Sequence, residues 1–404
     1  MCSYSGAKVK CSGNIKNSRY FYVRYMNLSV WEWIWYAFAA VAGIQFFYYL
    51  FFFSRVALYK RKAAPAETPL LPVSIVICAK DEEHNLSRYL PVILQQRYHD
   101  AQHQPAYEVI VVNDNSLDDT PHYLKSIQPG YAHFRQIELK QEAKGIPGKK
   151  YPLTVGLKGA QHETVLLTDA DCRPAGVHWL QHMSEGFRPG KEIVLGYSPY
   201  NRKPGLLNKV IRFETYFSAL QYLSYALAGI PYMGVGRNLA YKKELFFRHK
   251  GFLSHQHLPS GDDDLFINAA ARGRNTAVVI HREAFTYSEP QTSWGAWFRQ
   301  KTRHMSTGRH YKFKHKLLLG LFTFTQFWFY PLLVLALFYR PFFLITLYIL
   351  AGRLLVQGLV YAGSLRKLGE KDLFLYCWLF DVLLFLYYIV FAPAVYFKPK
   401  MRWK

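Results

Sequence analysis

Residues 165–174 read VLLTDADCRP, and the interpretation of the whole chain turns on them. Four residues suited to a buried strand, Val165 to Thr168, run straight into two carboxylates one residue apart, Asp169 and Asp171. Ionised aspartates are almost never buried without a partner, so this pair must face water, a cation or a hydrogen-bonding loop. Alternate residues of an extended chain point to one side, so both acids are placed to share a ligand there, or to cap a turn.

The same pattern repeats to either side. VSIVICA (73–79), EVIVVND (108–114), FRQIEL (134–139) and TVLLTDA (164–170) read as strands. Between them, EEHNLSRYLPVILQQ (82–96), DDTPHYLKSI (118–127) and GKKYPLTVGLKGA (148–160) read as helices. Apolar strands alternating with helices predict a mostly parallel α/β sheet covered on both faces, with ligands bound beyond the carboxyl ends of its strands. Three of those ends are polar: Lys80 to Glu83, Asn113 to Ser116, and Asp169 with Asp171. Any one of them serves as a helix cap, as Asp81 and Asp118 would. Three on one sheet edge predict a shared site.

Hard divalent cations take oxygen ligands, whereas acids at Asp81 or Asp114 suit hydrogen-bond donors such as a uracil imide or ribose hydroxyls. A nucleotide gripped at both base and diphosphate fits the set. KGIPGKKYP (144–152) has Tyr151 where a P-loop needs Ser or Thr, and its glycines are too closely spaced, which excludes that motif. Lys149 and Lys150, at a helix start, are candidates for phosphate or for plain solvation.

A formal net charge of +23 accompanies 51% hydrophobic and 17% aromatic residues, a balance that points to membrane or nucleic acid. The apolar residues lie in long runs and no nucleic-acid-binding signature interrupts them, so no nucleic-acid partner is expected. Five scattered cysteines without a CxxC pair suggest neither a disulfide framework nor zinc. Val30 to Phe53 is long enough to span a bilayer, and Arg55, Lys60, Arg61 and Lys62 after it mark the cytoplasmic side. Leu317–Phe338, Phe342–Gly363 and Leu373–Phe397 are three further candidates. Counting all three as spans leaves the basic tail KPKMRWK outside, so one of them is expected to fall short of a full crossing. The predicted organisation is a polar lead (1–28), a transmembrane helix (29–54), a globular domain (70–312) and a membrane domain (316–397) of two or three spans with an interfacial helix.

Two later motifs complete the pattern: SGDDDLF (260–266) and RQKTRH (299–304). In this order, from Val73 to His304, the chain resembles the membrane-bound family 2 glycosyltransferases of the GT-A fold, whose motifs are DxD, TED or GDD, and QxxRW. The resemblance implies that Ala79, Asp81, Glu82, Glu83 and Asp114 hold uracil and ribose. It implies that Asp171 and Asp169 bind Mg²⁺ or Mn²⁺ on the diphosphate, near Lys149, and that Gln300 and Arg303 close over it. Gly236 and Asn238 of GVGRNLAY (234–241), together with His304, would face the acceptor. One of Asp262 and Asp263 would be the catalytic base. Matching GDD to GED points to Asp263, while counting back from Leu265 points to Asp262. Adjacent acids raise one another's pKa, which improves a base.

Two departures stand out: Asn113 replaces a customary second Asp, and His304 replaces the Trp used for sugar stacking. The resulting expectation is an inverting transferase moving sugar from a UDP-sugar to a lipid or lipid-linked glycan, in a bacterial inner membrane with a cytoplasmic catalytic domain. A processive polysaccharide synthase and a non-catalytic envelope-assembly scaffold are the competing readings. His249, His255 and His257 lack metal-site spacing and read as loop residues. Trp294 and Trp297 read as interfacial anchors.

Overall fold

Helix α1 (Val30–Phe47) starts on a capping box: Glu32 N–H donates to Ser29 Oγ at 3.3 Å, and Ser29 N–H donates to the Glu32 carboxylate at 2.7 Å. It runs on through a π-helical Tyr48–Phe53 into Ser54–Ala57. The computed structural model describes residues 29–61, 70–141, 143 and 145–396, plus a short strand pair at Tyr4–Ser5 and Lys8–Val9. The rest of the polar lead, and the tail KPKMRWK, lie outside the described residues.

Then come β1 (Val73–Ala79), α2 (Glu83–Leu94), β2 (Tyr107–Asp114), α3 (Thr120–Ile127), β3 (Phe134–Leu139), α4 (Lys150–Gly159) and β4 (Thr164–Leu167). The alternation read from sequence holds. Only β4 stops early, where the chain turns and Thr168 Oγ1 donates to the Arg237 carbonyl at 3.1 Å. The second half adds β5 (Cys172–Pro174), β6 (Ile193–Leu195), α5 (Leu206–Leu227), β7 (Leu239–Lys242), α6 (Asp264–Ala270), β8 (Thr276–Val278), β9 (Thr286–Ser288) and α7 (Trp294–Met305).

Seven strands form one sheet in the order β8-β6-β7-β4-β1-β2-β3. All neighbours are parallel except β7, which runs against both β4 and β6. That reversal places the site. Because Leu167 at the end of β4 pairs with Leu239 at the start of β7, the loop before β7 lies against the DAD segment after β4. A separate antiparallel pair, β5 with β9, braces the same region through Cys172 opposite Ser288.

Helices α8 (Phe313–Phe338), α9 (Phe343–Leu368) and α10 (Phe374–Tyr396) complete the chain. With α1 they make, among the described residues, four helices long and apolar enough to cross a membrane, by length and composition. The loop joining α9 to α10 folds back on the globular domain, where Arg212 of α5 donates to Glu370 at 3.0 Å and to Asp372 at 2.8 Å. Helices α8 and α9 are therefore a hairpin that leaves this domain and returns to it, and α10 leaves again.

The bundle and the sheet domain share one apolar core. Phe52 stacks on Tyr225 of α5 with ring centroids 4.5 Å apart, and Phe53 and Phe217 both pack on Phe322 of α8. Each such ring contributes about 1.5–3 kcal/mol when fully buried. Helices α1 and α9 approach closely at Gly363, where a Cβ would meet the Ala57 Cβ at 2.7 Å. At the centre of the bundle, Arg353 and Asp381, each 1% exposed, pair at 3.1 Å. The carbonyl oxygens of Gln357, Gln45 and Gln326 accept from the guanidinium at 2.9, 3.3 and 3.3 Å, and the hydroxyls of Tyr330 and Tyr361 donate to the carboxylate.

Candidate active site

Beyond the carboxyl ends of the strands a cavity of about 1730 Å³ opens between the sheet domain and the helices. Asp169 and Asp171 reach it from the end of β4, Lys149 from the start of α4, and Gly236 and Arg237 from the turn before β7. The loop into α6 supplies Asp262 and Asp263, and α7 supplies Gln300, Arg303 and His304.

Its electrostatics centre on Lys149, whose Nζ lies 2.7 Å from Asp169 Oδ1 and 3.2 Å from Asp262 Oδ2. Burial alone would lower the lysine pKa, but Asp169, Asp262 and Asp263 overcome it and hold the ammonium well above its usual value. Asp262 answers in kind: burial opposes ionisation, yet Lys149 and Lys150 keep its carboxyl below the usual range. Asp263 goes the other way. Burial, then the charges of Asp262 and Asp264, push it up to about 7.

Position is set by hydrogen bonds. Asp263 accepts the Gly236 N–H at 2.7 Å on one oxygen and the Asp264 N–H at 2.7 Å on the other, capping α6. A Cβ at residue 236 would stand 3.2 Å from Lys149 Nζ and 3.3 Å from Asp263 Oδ2, so the small residue keeps these groups together. Asp264 is buried and accepts from Thr307 Oγ1 and, at 2.8 Å, from the Tyr311 hydroxyl, tying the acidic loop to the segment that leads into α8. Lys150 is also structural, donating to the carbonyls of Leu258 and Ser260 at 2.6 and 2.7 Å.

Asp169, Asp171 and Cys172 could bring one ligand atom each to within 4.8 Å of one another. The Cys172 thiol is fully buried, lies 2.9 Å from Ser288 Oγ, and is pushed far above its usual pKa by burial and the two aspartates. It stays a thiol, which leaves the carboxylates as donors. Burial and the charge of Asp169 push Asp171 up to about 6. Two carboxylates side by side, offering hard oxygen donors, fit Mg²⁺ or Mn²⁺.

Arg237 is the residue that sequence reasoning passed over. Its guanidinium lies 4.5 Å over the Tyr200 ring, and its carbonyl accepts from Thr168 Oγ1 at 3.1 Å and Thr286 Oγ1 at 2.9 Å. Its Nη1 is buried without a hydrogen-bond partner among the described residues. The only signal was a cation inside a segment noticed for its glycines. Glu214 and Lys301, an ion pair on the cavity wall joining α5 to α7, were also missed.

Not every predicted residue reaches the cavity. Of the group at the ends of β1 and β2, Glu82 lines it, while Ala79, Asp81, Glu83 and Asp114 stand off its wall. Asp81, with a left-handed φ of 53°, accepts the Leu117 N–H at 2.7 Å and donates its own N–H to Ser116 Oγ at 2.9 Å, so it shapes the loop. The Glu83 N–H donates to Asp118, and Ala79 and Asp114 are buried.

Asn238 is a correction. It is 0% exposed, its amide hydrogens go to the carbonyls of Tyr197 and Ala284, and its oxygen accepts from Trp179 Nε1, so it supports the wall from behind. Trp297 is another: it is buried against Phe391 of α10 with centroids 5.5 Å apart, an anchor to the helix bundle and not to lipid headgroups. His304 is open to the cavity yet enclosed by protein. That enclosure, with Lys301, Arg303, Arg237 and Lys149 around it, holds its imidazole well below the usual histidine pKa, hence neutral.

Residues 74–247 match the family model "Glycosyl transferase family 2", and residues 164–360 match "Glycosyl transferase family group 2". The chain is 24% identical over 240 residues to the probable glycosyltransferase YdaM of Bacillus subtilis (strain 168), across 57% of this chain and 54% of that protein. It is 32% identical over 103 residues to the beta-monoglucosyldiacylglycerol synthase of Nostoc sp., across 26% of this chain and 21% of that one. The chain thus spans about half the length of the first relative and about a fifth of the second. Among solved structures, the mannosyltransferase PcManGT of Pyrobaculum calidifontis, in complex with GDP-Man and Mn²⁺, aligns with a TM-score of 0.55 at 19% identity, over 87% of this chain and 99% of that one. That likeness is one of fold.

Proposed function

We propose that the chain, a member of glycosyl transferase family 2, moves one sugar from a nucleotide sugar, a UDP-sugar first of all, to a hydroxyl of a lipid or lipid-linked glycan, with inversion. One observation carries this reading: a single cavity joins the carboxylates suited to a metal, an acid with a pKa near 7, and the faces of apolar helices. The lipid glucosylation named for the Nostoc relative supports the acceptor class. The GDP-Man and Mn²⁺ of the Pyrobaculum enzyme support a nucleotide-sugar donor and a divalent ion.

A divalent ion held by Asp169 and Asp171 would offset the charge that develops on the departing diphosphate. The chain's own cations act beside it. Arg237, Arg303 and Lys149 face the same space and stabilise the leaving group in a water-poor setting. The acceptor oxygen bonds to the anomeric carbon while the bond from that carbon to the diphosphate oxygen breaks and its electron pair leaves with the diphosphate. The hydroxyl proton passes to the Asp262–Asp263 pair.

Asp263 already has a pKa near working pH, as a general base should. Asp262 takes that role only if the diphosphate draws Lys149 away from it. His304, neutral and lining the cavity, offers no stacking platform for a growing glycan, and this favours single transfer over a processive synthase.

The test is UDP release by full-length protein in detergent with UDP-glucose, UDP-galactose, UDP-N-acetylglucosamine or GDP-mannose and Mg²⁺ or Mn²⁺. Metal-dependent turnover of one donor is expected, abolished by Asp171→Ala and by one of Asp262→Asn and Asp263→Asn. Absence of both turnover and metal-dependent nucleotide binding would favour the scaffold.

A further inference from the structure

Sugar transfer accounts for only part of the cavity. Ligand pockets usually enclose about 300–1,000 Å³, and this one encloses about 1730 Å³. The remainder extends between α8 and α10. On α8 its wall is Gly320, Thr323, Phe324 and Phe327, spaced i, i+3, i+4, i+7 along one helical face. On α10 it is Leu384 and Tyr388, again one turn apart. The α8 wall runs about 10 Å along the helix axis. From Leu319 onward no charged side chain stands on it among the described residues. Phe324 and Trp328, 56% and 41% exposed, line it, so the apolar wall is accessible along its length.

We propose that this cleft holds the apolar tail of the acceptor, a membrane lipid whose head-group hydroxyl is thereby delivered to Asp262 and Asp263. The inference rests on reading the polar end as the transfer site. A glycan occupying the cleft would leave most of its hydroxyls facing Phe324, Phe327 and Leu384, with only a few such as Thr323 and Tyr388 to meet them, at a desolvation cost that a hydrocarbon tail does not incur.

Gly320 provides the test, because it lines the cleft and a Cβ there meets nothing within 4 Å, so a side chain starts in open space. Full-length wild type, Gly320→Ala and Gly320→Trp in detergent are irradiated with hexadecanol bearing a mid-chain diazirine, and the labelled residues are mapped. Labelling is expected at Phe324, Phe327 and Leu384, competed by unlabelled hexadecanol, and reduced severalfold by Gly320→Trp but not by Gly320→Ala. Thermal unfolding confirms that the variants fold, and Thr323→Trp replaces Gly320→Trp if that variant does not. Labelling spread evenly over the outer faces of α8 to α10, or indifferent to the plug, overturns the proposal. UDP and GDP binding by calorimetry with Mn²⁺ on the same wild-type sample tests the transfer site separately: absence of both would refute that reading whatever the labels show.

Discussion

Two groups of charge are buried in this molecule, and they are built in opposite ways. In the bundle, Arg353 and Asp381 match one cation to one anion, and glutamine carbonyls and tyrosine hydroxyls take the other hydrogen bonds of Nη1, Nη2 and the carboxylate, leaving only Arg353 Nε without a partner among the described residues. In the cavity, Asp169, Asp262 and Asp263 crowd around Lys149, with Asp171 beside Asp169, so carboxylates outnumber the one cation they share and two of them resist ionisation. The balanced group fixes four helices in one register. On the proposed function, the unbalanced group would be completed by what binds there. Burial of charge therefore says little about role until the partners are counted.

The largest effect should come from unbalancing the balanced group. Arg353→Met strands Asp381 and should cost about 3–5 kcal/mol, read as thermal midpoint in detergent, with most of it recovered in the double variant Arg353→Met, Asp381→Leu. A double variant no better than the single would mean that the pair does more than neutralise itself.

The second effect is catalytic. Losing the base should lower kcat by roughly 10²–10⁴-fold, and wild-type turnover should fall about tenfold per unit as pH drops below about 7, the pKa of Asp263. Stability should move the other way. Folding raises the Asp263 pKa above its unfolded value, so its contribution is intact below about pH 4 and is lost as pH rises through about 7. Asp263→Asn should therefore raise the midpoint at about pH 8 and leave it unchanged at about pH 4. Equal shifts at both would point to packing instead.

Third, adding Mn²⁺ should stabilise wild type by about 2.7 kcal/mol at a hundredfold excess over Kd, and Asp171→Ala should remove that gain. A gain that survives in Asp171→Ala would place the ion elsewhere. The smallest effect is a control on the surface: Glu138→Ala, which breaks an exposed contact with Lys125 at 3.9 Å, should change stability by less than about 1 kcal/mol.

How much of this was legible follows from range along the chain. The strands from Val73 to Leu167 were readable because each is a local apolar run between helices, and DxD was readable because its acids are neighbours. Strand β7 was not, since three residues pairing antiparallel between β4 and β6 carry no local mark of direction. For the same reason Asn238 was misplaced: its motif reached the site, but its own side chain turned toward Trp179. Arg237 was missed because its role arises from Tyr200, Thr168 and Thr286, which only the fold brings to it. The separate fates of Asp262, Asp263 and Asp264 were invisible in three identical letters.

The clasp of Arg212 on Glu370 and Asp372 has one more consequence. It fastens the catalytic domain to the bundle beside the point where α9 returns, through a guanidinium 3% exposed, so tilting that domain away from the membrane would mean breaking a buried ion pair. On the proposed reading, the acids of the cavity would thus stand at a fixed height above the hydrocarbon. The molecule would act as a depth gauge: which hydroxyl it can reach would be decided by how far that hydroxyl rises from the bilayer as much as by the group that bears it.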